Sequence, residues 1–192
     1  MRTSAKPAAW RDRRSQPSAM TQKRFRRLPG RCFTWPARRR WRRRLSIALA
    51  LNPNAAHAWW ARGNIHAVRN QPEAAIEALE RGRRLSPFDP YTFLYASNIA
   101  AAHLVAQRFE LAIEWADRAL HDQPRLVTAM RVKVAALAHL GRLDEARAEL
   151  RRVLAIDPEQ TIAGFRDRVH FGAPEVRELF VTGLRLAGLP EG

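Results

Sequence analysis

Residues 124–158 read PRLVTAMRVKVAALAHLGRLDEARAELRRVLAIDP, and this stretch decides the fold. Within it, Gly141-Arg142-Leu143-Asp144-Glu145-Ala146 opens a helix and Leu150, Val153 and Leu154 continue its apolar face. Ile156-Asp157-Pro158 closes it, because the residue before a proline leaves the α region. Stepping back 34 residues from Pro158 lands on Pro124, and 34 back from Pro87 lands on Pro53. Pro87 and Pro124 are 37 apart, so the middle unit carries three extra residues. A fixed period of this size marks a stacked array of helical pairs.

Working outward, the spacing predicts three pairs. The first has helix A at about 55–68 and helix B at about 72–84, with Pro72 at a first helical position and Glu73 in the first turn. The second has A at about 90–105 and B at about 109–121, and Asp89-Pro90 reads as its N-cap and first-turn pair. The third has A at about 125–140 and B at about 143–156. Ala75, Ala112 and Ala146 recur where the two helices of a pair approach most closely. Beyond Pro158 the period is lost, and helices at about 159–169 and 174–187 remain, the latter with Val176, Leu179, Phe180, Leu184 and Leu186 as an apolar set. A solenoid needs an end element over its last apolar face, and this pair is the natural one. Gly188 suits the C-cap. The expected architecture is therefore an all-α solenoid: residues 1–44 as a disordered Arg-rich segment, 45–158 as half a repeat plus three, and 159–192 as the capping helices.

The formal charge of +16 divides unevenly. Residues 1–44 hold sixteen Lys and Arg against the single acid Asp12, whereas the rest holds 18 against 17. Pro7, Pro17, Pro29 and Pro36 interrupt any long helix there, and the run from Arg38 to Arg44 has nothing to bury. Three readings stand side by side. One is translation of GC-rich DNA out of frame or from a misplaced start, in keeping with 31 Arg against 3 Lys. Another is a plain tail. The third is an arm gripping nucleic-acid phosphates, with Trp10, Phe25, Trp35 and Trp41 for stacking. Trp41 stands where the register asks for a small residue, so the repeat pattern starts mid-helix near Leu45, like a cut edge. Cys32 is the single cysteine, which excludes an intrachain disulfide and fits a cytoplasmic setting. No apolar run approaches the roughly 20 residues of a membrane helix, and no membrane role is expected.

Trp59, Gly63, Ala75, Leu79 and Pro87 fall at the spacing Trp-x-x-Leu-Gly-x-x-Tyr…Ala-x-x-x-Phe…Pro, and on them the chain resembles the tetratricopeptide repeat (TPR) family. Arg62 and His66 depart from it at the Leu and Tyr places. A narrower likeness rests on Arg84-Leu85-Ser86-Pro87-Phe88-Asp89-Pro90, on Gly141 to Ala146, and on Gly183-Leu184-Arg185-Leu186-Ala187-Gly188-Leu189-Pro190. These look like the C-terminal TPR region of bacterial, rhizobial-type class III adenylate/guanylate cyclases, and the same tail resembles that of CadC-like winged-helix regulators. The likeness includes neither family's catalytic or DNA-binding domain.

No phosphate-binding Gly-rich loop, His-Glu-x-x-His or Gly-x-Ser-x-Gly occurs, so a non-catalytic scaffold without cofactor or metal is expected. His66 and His103 hold equivalent inner positions; packed histidines and a metal pair are the two readings, and packing is the simpler. Trp59 and Trp115 read as core anchors. The TPR resemblance implies a protein or peptide partner in the concave groove lined by the A helices. By register, His57, Trp60 and Asn64 of the first unit, Ser97 and Asn98 of the second and Arg131 of the third are its candidate residues. A Trp beside amide and guanidinium groups suits a peptide backbone and one apolar side chain. Trp60 stands where the carboxylate-clamp version of such grooves has its first Lys. The alternative is a groove filled by the protein's own domains, or by nothing.

Overall fold

A computed structural model describes residues 44–169 and 172–192. The readings made for residues 1–43, disorder included, lie outside the described residues. Helix α1 covers 44–51. It is followed by α2 (Ala56–Ala67), α3 (Pro72–Leu85), α4 (Thr92–Val105), α5 (Phe109–Asp122), α6 (Val127–His139), α7 (Leu143–Ile156), α8 (Ile162–Arg168) and α9 (Pro174–Leu186). Among the described residues there is no strand. Consecutive helices from α2 to α7 pack on one another, and α2, α4 and α6 also pack in turn, which is an α-solenoid of antiparallel pairs.

The seam of each pair follows from one small residue. Ala75, Ala112 and Ala146 are all fully buried. In the first pair Gly63 presses on Leu79, and a Cβ built on Gly63 would also stand 3.1 Å from the carbonyl of Ala75. The B helices α3, α5 and α7 are amphipathic and bury one face, whereas α4 and α6 are apolar nearly all round and buried on several sides. The turn inside each pair repeats as well. Asn70 and Gln107, both at φ 58°, and Gly141, at φ 76°, occupy the left-handed region. The next N–H then reaches back five residues: Gln71 to His66, Arg108 to His103 and Arg142 to Leu137, at 2.9–3.1 Å.

Three starts differ from expectation, the simplest being α6, which begins at Val127 and not at about 125. Helix α4 begins at Thr92, because the Asp89 carboxylate accepts the Tyr91 N–H (2.8 Å) and closes a turn instead of capping a helix at Pro90. The three extra residues are absorbed in that turn, which leaves Phe88 exposed. Helix α8 begins at Ile162, where the Thr161 hydroxyl accepts the Gly164 N–H (3.0 Å). The capping pair α8–α9 closes the main apolar core with Ile162, Phe165, Val176, Phe180 and Leu184, and Gly188 (φ 96°) stands just past the end of α9. Leu186 departs from the expected apolar set and is exposed.

Candidate functional site

The inner surface is built by α2, α4 and α6. On it Asn64, Ser97, Asn98 and Arg131 line one cavity of about 200 Å³. Its floor is Ala67, Ala101 and Val132, and its far wall is Phe165, Val176 and Phe180 from α8 and α9. The cavity is thus an apolar cleft with a few polar groups, the usual make-up of a ligand site. Ser97 Oγ lies 3.3 Å from Thr128 Oγ1, tying α4 to α6 at its rim.

Arg131 is the charged group here. Its Nε donates to the Val127 carbonyl at 3.4 Å, and its guanidinium lies 5.5 Å from the centre of the Phe165 ring. Burial pulls its pKa below the ordinary arginine value, Arg168 pulls the same way, and Asp157 opposes. Even so a guanidinium stays charged, so the cleft holds a cation beside an aromatic face. An anionic or carbonyl-rich ligand group fits that chemistry.

The two remaining candidates do not line this cavity. His57 is exposed, with Nδ1 3.9 Å from Asp89 Oδ2. Trp60 packs on Leu79, Tyr95 and Ile99, and its buried Nε1 has no hydrogen-bond partner. His57 is turned toward Asp89 in the insertion turn, and the large Trp60 indole is taken up between α3 and α4.

Trp59 and Trp115 are both half-buried; Trp115 packs against the apolar clusters as expected, whereas Trp59 is held at their edge. Trp59 donates to the Pro53 carbonyl (2.7 Å) and lies under the guanidinium groups of Arg62 and Arg81. Trp115 lies under those of Arg83 and Arg118. Of the two histidines, His66 bonds to Gln71 through Nδ1 (2.8 Å), and His103 is buried with Nδ1 unpartnered. Among the described residues no group of three His, Cys, Asp or Glu is placed to hold a metal ion. The residues missed by sequence reasoning are the far wall. Val176 and Phe180 were legible as apolar positions on a helix, but no period linked that helix to the groove.

A stack of antiparallel helix pairs with a cleft on the side formed by α2, α4 and α6 defines a helical-repeat protein. The family model "Tetratricopeptide repeat" matches residues 42–90 and 98–161, and the chain belongs to that family. Among curated proteins, a human FK506-binding protein-like protein is 34% identical over 108 residues, covering 54% of this chain. The chain spans only 31% of that relative's length. Among solved structures, MamA superposes with a TM-score of 0.56 at 17% identity, over 80% of this chain and 92% of that one. The first TPR of Spaghetti (RPAP3), solved bound to the HSP90 peptide SRMEEVD, does so with a TM-score of 0.51 at 22% identity, over 65% and 92%. At these identities the likeness shows the fold. Among the described residues no helix is long and apolar enough to cross a membrane.

Proposed function

We propose that this chain is a non-catalytic protein-interaction module whose inner cleft holds a segment of a protein partner. One observation carries the reading: side chains from three successive repeats, Asn64, Ser97 with Asn98, and Arg131, converge on a single apolar cleft. Amides and a hydroxyl suit a partner's backbone, the apolar wall suits one of its side chains, and the Arg131 guanidinium suits a carboxylate or carbonyl. A peptide is also what the Spaghetti domain was solved with, although the assignment here rests on the cleft. His57 and Trp60 lie outside the cleft and would serve a longer ligand that extends past α2.

Phage-displayed random peptides panned on the full chain test this. Enriched peptides should lose about tenfold or more in affinity on Arg131→Met and on Asn98→Ala. Enriched peptides indifferent to both changes, or no enrichment at all, would refute the reading.

Two finer readings belong with it. Membership in a cyclase-like or winged-helix signalling protein rests on the sequence resemblance alone, a cytoplasmic location rests on the single Cys32, and the curated proteins that match include FK506-binding protein-like ones. Purified chain given ATP and Mn²⁺ should form no cyclic AMP. A nucleic-acid-binding role is favoured by one feature, the concentration of positive charge in residues 1–44. That role requires binding that falls steeply with salt and vanishes when those residues are deleted.

A further inference from the structure

The inner face is not an open trough, because α9 lies along it. At its start, Gly172 and Ala173 both donate backbone N–H groups to the Val68 carbonyl at the end of α2, at 2.8 and 3.0 Å. Midway, the Leu179 carbonyl lies 2.8 Å from Nε2 of His139 at the end of α6, and the His139 ring is stacked on Phe109. One turn further on, a Cβ built on Gly183 would stand 2.7 Å from Cα of Ala135. A helix satisfies its own backbone hydrogen bonds, so a receiving surface needs mainly a matching shape. Here Ala101 on α4 and Ala135 on α6, at equivalent repeat positions, leave room for it.

Helix α9 is also part of a package with its own bonds. The carbonyls of Pro190 and Glu191 accept the N–H groups of Ile162 and Ala163 at the start of α8, at 2.8 and 2.9 Å. Phe165 and Phe180 meet between the two helices with ring centres 6.1 Å apart, and Arg166 pairs with Glu178 at 3.1 Å. None of these bonds involves α2, α4 or α6, so all survive if the package leaves the groove.

We infer that the inner face is a receptor for an amphipathic helix with a glycine at its point of closest approach, and that α9 is the built-in occupant which a partner helix of this pattern replaces. The inference rests on the groove of α2, α4 and α6 being the binding surface, as proposed above, and revises its wall: the partner is helical, competes with α9, and supplies its own apolar side chains where Val176 and Phe180 stand.

The test uses a fluorescein-labelled peptide of residues 172–192 and anisotropy titration against the full chain and its Gly183→Leu variant. The substitution weakens α9 in place and leaves the receiving surface intact. Wild type should leave the peptide unbound, and the variant should bind it at least about tenfold more tightly. A peptide that itself carries Gly183→Leu should bind neither. Equal binding by wild type and variant, or no binding to a variant whose circular dichroism retains the wild-type helicity, overturns the inference. If the variant fails to fold, hydrogen exchange on the wild type decides. Amides of α9 that open more readily than those of α4 and α6 support exchange of the helix, and α9 amides that open only together with them overturn it. Random peptides that still bind through Arg131 while the α9 peptide does not would sink the helical partner alone. Failure of both would remove the groove itself.

Discussion

Helices α2 and α6 hold the same place in their repeats and differ sharply in surroundings. In α2 only Gly63 and Ala67 are buried, whereas α6 buries Ala129, Met130, Val132 and all of 134–138. Correspondingly, one continuous apolar cluster runs from α4 to α9, while α2 and α3 contribute to two small separate ones. The repeat motif is the same, but the neighbours are not. Helix α6 has α4 and α5 on one side, α7 on the other and α9 across its inner face. Among the described residues, helix α2 has α3 and α4 beside it, the short α1 before it, and the start of α9 at its last carbonyl. In a stack that interacts through nearest neighbours, burial at a given motif position is set by what lies next to it.

The largest effect expected from this contrast is at the position shared by His66, His103 and Leu137. Leu137 is 1% exposed, and Leu137→Ala should cost about 2–5 kcal/mol in urea unfolding. His66→Ala, at the half-buried equivalent, should stay within roughly 0.5 kcal/mol. Similar costs at the two sites would break the comparison.

Next in size is the seam, where the repeats are alike. Ala75 and Ala146 are both fully buried, so Ala75→Trp and Ala146→Trp should each cost about 1–3 kcal/mol or more through overpacking. An unchanged melting midpoint for either would contradict the register. The turns offer a smaller gain. Gln107 holds φ 58° where the third repeat has Gly141, so Gln107→Gly should relieve left-handed strain and stabilise by roughly 0.5–1 kcal/mol. A lowered urea midpoint would show that the Gln107 side chain contributes more than the strain it carries.

The smallest effect concerns His103, intermediate between α2 and α6. Burial pushes its pKa below the ordinary histidine value, Arg108 pushes the same way, and Glu73, Glu80 and Glu114 oppose. The folded protein therefore favours the neutral ring, while the unfolded chain takes up a proton as pH falls through about 6.5. Its contribution is present above that pH and is lost below it, as pH falls toward the lowered folded value. His103→Leu should reduce the loss of stability on acidification across this window. An unaltered pH profile would mean that His103 titrates alike in the folded and unfolded chain, so that burial leaves its pKa unshifted.

Much of this molecule was legible as a pattern. The proline spacing and Ala75, Ala112 and Ala146 placed six helices, because helical pairs repeat the same short-range chemistry every 34 residues. Register also brought Asn64, Ser97, Asn98 and Arg131 together for the same reason, and they line one cavity. Reading failed where contacts are not periodic. Asp89 turned the chain instead of capping it, and Trp60 took its place in the cluster of Leu79, Tyr95 and Ile99.

By itself, then, the sequence determined the helices, their pairing and the seam within each pair, since these depend on apolar period, turn residues and small residues at fixed spacing. Only the tertiary structure decided that α9 lies over the inner face and walls the Arg131 cleft. That placement hangs on Gly183 meeting Ala135 and on Gly172 and Ala173 meeting Val68, contacts between residues about 50 to 105 positions apart that no local rule encodes.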